Sequence, residues 1–292
     1  MLTSPDRHNL YEAILQRKSI RDYSPDEVSQ EIIQAATHFI KKIPRLHEAA
    51  IQFHLEKSEY RIIHNLVNPF GAFISVAPYF FALSVKPQGS YMVEAGYQSE
   101  HLMLYLTSQG LGTCFIGSFL NFHQLKKELS LPRDEELVIL SPIGFPDKSL
   151  AGFFTGFMVN TSQMLYGITK RKSLEEMVLD TEDGLGLDSR LAKWSPLLEA
   201  VQKAPSWCNM QPWRFVLREN EVFLFVEHTA KDMVLKYESW GHDYRQFDAG
   251  IALCHFELAA WERGMKGKWR LLEQGDFDLP ERYKIVASWK GV

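Results

Sequence analysis

Residues 94–110 read EAGYQSEHLMLYLTSQG and residues 248–264 read DAGIALCHFELAAWERG. Both run from an acidic residue, Ala and Gly to a closing glycine, and one interval of 154 positions relates them. It carries Glu94 to Asp248, Gly96 to Gly250, His101 to His255 and Gly110 to Gly264. Each segment is apolar on most sides and stops at a glycine, the pattern of a helix buried in a core. Arg17-Lys18-Ser19 and Arg171-Lys172-Ser173 keep the same interval. Several coincidences at one offset predict an internal duplication with the two long helices as equivalent core elements. The matched positions are mostly apolar or glycine, so the duplication speaks to architecture and not to chemistry.

Ser29 to Lys42 places Ile32, Ile33, Ala36, Phe39 and Ile40 on one helical face. Phe53 to Leu55 and Ala77 to Val85 read as strands, the second apolar enough to be buried on both faces. Leu137 to Ile143 is a further buried strand, stopped by Gly144 and Pro146. A helix is expected from Ser195 to Lys203. Phe215 to Leu217 and Val222 to Val226 then form a hairpin around Glu219-Asn220. Phe247 to Arg263, the second core helix, closes the pattern. Helices alternate with strands, the signature of an α/β or α+β class with a mixed sheet.

The chain has 292 residues, with 32 Lys and Arg against 36 Asp and Glu, a formal net charge of −4. At about 150 residues per domain this suits two domains or one large one. A composition 46% hydrophobic and 13% aromatic excludes disorder and supplies a core. The slightly acidic balance argues against a protein devoted to nucleic acid. Cys114, Cys208 and Cys254 are too few and too far apart for a disulfide scaffold or a CxxC site, and they read as non-catalytic. Asp6, Arg7 and Glu12 interrupt what would be a signal peptide. Pro78 breaks the most apolar stretch, Gly71 to Val85, which is shorter than the roughly 20 residues of a membrane span. The expectation is a soluble, cytoplasmic protein of a reducing compartment, with no membrane or nucleic-acid partner.

Familiar catalytic motifs are missing. Gly110-Leu111-Gly112 ends a helix instead of following a strand, and Gly112 to Ser118 lacks the lysine of a phosphate loop. The ten histidines show no HExxH, so no metal site is expected, and neither Ser118 nor Ser206 lies between glycines as a nucleophile elbow requires.

Two segments carry chemistry. Arg17-Lys18-Ser19-Ile20-Arg21 sets three cations and a hydroxyl within five residues, suited to a phosphate or to a solvated helix end. Residues 204–215, APSWCNMQPWRF, form a proline-stiffened loop with Ser206, Asn209 and Gln211 beside Trp207 and Trp213. Rigid amides and an apolar wall would read a planar, polar-edged heterocycle. An ordinary connection with the tryptophans as core anchors has the same composition.

These residues resemble the FMN-dependent nitroreductase family. Arg17, Ser19 and Arg21 match RxSxR; Pro205, Ser206, Asn209, Gln211, Pro212 and Trp213 match PSxxNxQPW. Gly110 to Gly117 match GLGTxxIG, and Ile143 to Pro146 match IGFP. The order departs from the ordinary family, in which PSxxNxQPW closely follows RxSxR and two subunits share two flavins. Here Pro44 to Phe53 has lost the Asn/Gln pattern, and Met265 to Trp269 lacks the IG element. The chain is similar to a tandem, single-chain form, a fused pseudo-dimer of α+β fold with halves at 1–190 and 191–292, the second shortened. Lys170-Arg171-Lys172 resembles the family's basic C-terminal stretch that returns to the flavin phosphate; the start of the second repeat is the competing reading.

The resemblance implies an FMN-dependent NAD(P)H oxidoreductase that reduces nitroaromatics, quinones or similar acceptors by ping-pong hydride transfer. Arg17, Ser19 and Arg171, with Lys18 and Lys170, would hold the phosphate and ribityl end. Arg21 would lie at the N1–O2 edge, and Ile116-Gly117 near N5 and O4. Pro205, Ser206, Trp207, Asn209 and Gln211 would line the cofactor from the other half. No side chain acts as acid or base, because the flavin carries the chemistry. One site would survive per chain, and a fused pseudo-dimer could act as a monomer. A flavin- or ligand-binding protein without turnover is the alternative; a purely structural protein would not need Arg21 and Asn209 together.

Overall fold

The computed structural model describes residues 2–58, 77–117, 122–148, 170–179, 187–229, 238–239, 241–273, 275 and 277–291. Ser118 and the first part of the apolar stretch from Gly71 lie outside the described residues. Helix α1 (Ser4–Gln16) starts at a capping box: Thr3 Oγ1 accepts the Asp6 N–H at 3.3 Å, and the Asp6 carboxylate accepts the Thr3 N–H at 2.9 Å. Ser29 caps α2 (Gln30–Ile40), within the expected span. Further helices are α3 (Tyr91–Ser108), α4 (Phe122–Glu128), α5 (Leu174–Met177), α6 (Leu187–Gln202) and α7 (Tyr244–Glu262).

Helices α3 and α7 are the expected core pair, each starting three residues before the sequence reading. They are buried on nearly every side and pack on one another across Gly96 and Gly250. Helix α6 begins eight residues before Ser195 and runs through Pro196. Proline withholds an N–H and usually ends a helix there, but tertiary contacts hold the preceding turn. Arg190 Nη1 donates to Leu217 O at 3.1 Å, and the buried Trp194 indole donates to Arg218 O at 2.9 Å. The expected division between residues 190 and 191 falls within α6.

Two four-stranded sheets flank the helix pair. One comprises β1 (Ile51–Lys57), β2 (Tyr79–Val85), β3 (Gly112–Thr113) and β4 (Glu136–Gly144) in the order β1-β2-β4-β3. After β5 (Trp213–Leu217), β6 (Glu221–Glu227) and the small pair β7 (Glu238–Ser239) and β8 (His242–Asp243), the chain adds β9 (Gly267–Leu271) and β10 (Tyr283–Gly291). The second sheet runs β5-β6-β10-β9, the same topology. The duplication expected from the 154-residue interval therefore extends to the strands. These ladders are antiparallel; the parallel pairings are isolated bridges, Ser19 with Thr113 and Val178 with Phe215.

Strands β9 and β10 lie beyond the point where the sequence reading closes. In β9, exposed Lys268 and Arg270 alternate with buried Trp269, so only one face meets the core. A half-buried strand of charged residues gives a weak apolar signal. The second half is shorter in residues without losing a strand of its sheet.

Candidate functional site

The basic segment leaves α1 at Arg17, whose N–H still donates to Ala13 O at 2.8 Å. It then runs beside β3: Ile20 N–H donates to Thr113 O at 2.9 Å. A Cβ on Gly112 would lie 2.8 Å from three Ile20 side-chain atoms, so glycine is what lets these strands approach. Arg17 points inward, its side chain only 4% exposed, whereas Lys18 and Ser19 are exposed.

The loop at 205–213 is shaped by three non-glycine residues with positive φ: Cys208 at 47°, Asn209 at 56° and Gln211 at 50°. Asn tolerates this region; Cys and Gln are held there by the surroundings at a cost of about 1–3 kcal/mol each. Ser206 Oγ accepts the Gln211 N–H at 2.9 Å. Buried Gln211 accepts the Lys172 N–H at 2.9 Å and donates to Lys170 O and Asn209 O at 3.1 and 3.0 Å. Asn209 Nδ2 lies 3.4 Å from Lys170 O. Both Gln211 amide hydrogens and its oxygen are thus engaged within the protein. It clasps the loop to residues 170–172. Trp213 is fully buried and anchors β5 in the core, leaving Trp207 to supply an aromatic wall.

Trp207 joins several parts of the site. Its N–H donates to the Asp248 carboxylate of α7 at 3.0 and 3.2 Å, and its ring stacks on Tyr244 with centroids 4.4 Å apart. The same ring covers Gly117, where an added Cβ would meet it at 2.5 Å. The GLGTxxIG and PSxxNxQPW segments are therefore in contact. Of the pair expected near N5 and O4, the Ile116 N–H is committed to Leu140 O at 2.8 Å. The loop in the first half is held the same way: Glu94, the partner of Asp248 in the repeat, accepts the Leu46 and His47 N–H groups at 2.9 and 3.1 Å.

Cations gather beside the loop. Arg171 Nη1 donates to Ala204 O at 2.6 Å, and burial together with the charge of Arg17 lowers its pKa to about 10. Arg17 has the opposite deficit: Nε stands 3.7 Å from Glu100 Oε1, and neither Nε nor Nη1 has a hydrogen-bond partner among the described residues. A buried guanidinium ion-paired with Glu100, yet with two nitrogens short of hydrogen bonds and a second guanidinium beside it, fits an anion. Arg21 acts electrostatically on Cys208, an exposed residue whose thiol is nonetheless pushed up to about 11 by the atoms packed around its sulfur and by the charge of Asp248. Such a thiol stays protonated near neutral pH and is a poor nucleophile.

Glu100, His255 and Asp248 were not among the residues expected at the site. Their signal was present: they are charged or titratable positions on helices buried all round. Among the described residues no group of three His, Cys, Asp or Glu side chains could hold a metal ion, and no helix is long and apolar enough to cross a membrane.

The protein family described as "Putative TM nitroreductase" matches residues 9–260. Among solved structures, a nitroreductase from Thermotoga maritima is similar over 97% of this chain and 93% of its own, with 19% identity and a TM-score of 0.59. A nitroreductase family protein from Clostridium novyi covers 48% of this chain and 86% of its own, at 23% identity and a TM-score of 0.43. An FMN-dependent nitroreductase from Clostridium difficile covers 47% and 87%, at 19% identity and a TM-score of 0.42. No curated protein matches the sequence.

Proposed function

The chain belongs to the TM nitroreductase family, and from that footing we propose that it is an FMN-dependent NAD(P)H oxidoreductase with one flavin site per chain. The observation that carries the reading is Arg17: buried, short of hydrogen-bond partners, and beside Arg171 at the mouth of the 205–213 loop. A phosphate monoester supplies the acceptors these donors lack. Lys18 and Lys170, both exposed, extend the positive rim, and Ser19 adds a hydroxyl. In this reading residues 1–190 bring the cations and Gly117, and residues 191–292 bring the loop with Pro205, Ser206, Trp207 and Asn209.

When bound, FMN would supply the redox chemistry between NADH or NADPH and an electron-poor acceptor such as a nitroaromatic or quinone. The protein's own part is binding and electrostatics. Arg17 and Arg171 fix the phosphate. Arg21 would supply positive charge beside the loop, which favours an anionic edge of a bound ring. Trp207, stacked on Tyr244 and lying over Gly117, gives a planar wall. The purified protein mixed with FMN and then NADH or NADPH under anaerobic conditions tests this. Bleaching of bound flavin supports an oxidoreductase, bound flavin that stays oxidised indicates a binding protein, and absence of binding removes the proposal.

A further inference from the structure

Beneath Arg17 lies a buried pair whose proton count follows from its geometry. Glu100 on α3 and His255 on α7 are both fully buried. His255 Nδ1 is 2.8 Å from Ala200 O. A carbonyl can only accept, so Nδ1 carries a hydrogen. Nε2 is 2.8 Å from Glu100 Oε1. Two bare lone pairs do not meet at that distance, so a second proton lies between Nε2 and Oε1, on one atom or the other. With that proton the pair is neutral as a unit; without it the pair carries one negative charge. The same Oε1 is the atom 3.7 Å from Arg17 Nε.

We infer that the proton shared by Glu100 and His255 is a working part of the anion site, because it leaves Arg17 its full charge for a phosphate. Losing it puts a carboxylate's charge against Arg17 and repels the bound dianion. This rests on Arg17 being the phosphate ligand of the proposed flavin site. His255 is then a positioning residue that acts through Glu100. The groups that face the pair are few. From α3, His101 turns to Cys254 Sγ at 3.3 Å and is held neutral, its pKa lowered to about 4 mainly by burial. From α7, burial keeps Cys254 a thiol, while Glu257, one turn further on, is pushed up to about 7. Arg7 on α1 acts on Glu257, and Arg171 acts with Arg17 from the far side.

Linkage sets the sign. A dianion binds the protonated form better, so FMN binding takes up protons and FMN affinity falls as pH rises, by up to about tenfold per pH unit for one linked proton. The test is calorimetric titration of the full-length protein with FMN and with riboflavin, between about pH 6.5 and 9, where the phosphate is largely doubly ionised. Buffers of different ionisation enthalpy report the protons taken up. The expected result is proton uptake with FMN and none with riboflavin, which lacks the phosphate; the uptake should persist in Glu257→Gln, which keeps an acceptor for Tyr97 but cannot ionise. Glu100→Gln mimics the protonated pair: its FMN affinity should be flat with pH and tighter than wild type at the alkaline end. FMN binding without proton uptake in the wild type overturns this inference and leaves the flavin site standing. Failure of FMN to bind at any pH overturns both. The wild type and Glu257→Gln decide even if Glu100→Gln does not fold: uptake that disappears in Glu257→Gln overturns the inference.

Discussion

Gly96 and Gly250 hold reciprocal positions where the two core helices cross, each against the backbone of the other helix. A Cβ on Gly96 would lie 1.9 Å from Phe247 O, and one on Gly250 would lie 2.0 Å from Val93 O. Val93 and Phe247 are themselves 154 positions apart, so the contact is reciprocal under the repeat. Both obstacles are backbone atoms, which cannot rotate aside.

Gly96→Ala or Gly250→Ala should therefore destabilise by about 3 kcal/mol or more, at the top of the overpacking range. Gly110→Ala is the contrast: its φ of 78° is unfavourable for alanine, but nothing lies within 4 Å of the added carbon. It should cost about 1 kcal/mol. Denaturant unfolding of the three variants checks the ranking, and equal losses would mean that the crossing is not close-packed.

Arg17→Ala and Arg21→Ala should each weaken FMN binding by roughly 1.5–3 kcal/mol, about tenfold to over a hundredfold. Flavin fluorescence titration measures this. Wild-type affinity in both variants would remove the basic segment from the site.

Asp248 and Glu94 form a natural control pair, since each holds the N–H groups of one loop. Removing either carboxylate strands buried donors at a cost of about 1–3 kcal/mol. Asp248→Ala should lower both thermal stability and FMN affinity, because its loop carries Trp207 and Asn209. Glu94→Ala should lower stability alone. Equal loss of FMN binding in both would contradict the assignment of the flavin to one side.

Glu257 supplies a pH signature of the core. Burial raises its pKa to about 7 from an ordinary 4.5, while Tyr97 donates a hydrogen bond to it. A carboxyl with a raised native pKa binds its proton more tightly when folded. Its stabilising contribution is complete below about 4.5 and is lost as pH rises through about 7. Glu257→Gln keeps an acceptor for Tyr97 without the ionisation. It should gain on the wild type as pH rises from 5 to 8, by an amount on the order of 3 kcal/mol. A constant difference in melting temperature across that range would contradict this.

The duplication was legible because helix-terminating glycines and the acid-Ala-Gly openings survive as identical spacings. Gly96 and Gly250 stand out in sequence for the same reason that they matter in space. Strand β9 was not legible, since charged residues such as Lys268 and Arg270 occupy its solvent face. At Arg17 and Arg171 residue type alone suited a phosphate or a solvated helix end, and the burial of Arg17 beside Arg171 is what supports the anion in the proposed site. At Gln211 residue type was ambiguous, because an amide in a loop can serve a ligand or the fold; its bonds to Lys172 and Lys170 give it a part in the fold. His255 marked the repeat with His101, yet its chemistry with Glu100 depends on a contact between helices more than 150 positions apart in sequence.

The central claim is that a duplicated chain holds a single flavin site assembled from both halves. Equilibrium titration of the intact protein with FMN, followed to saturation, tests it most directly. The account predicts one equivalent per chain. A plateau near two would mean that the Pro44–Gln52 side still binds flavin, and no saturable binding would contradict the account outright.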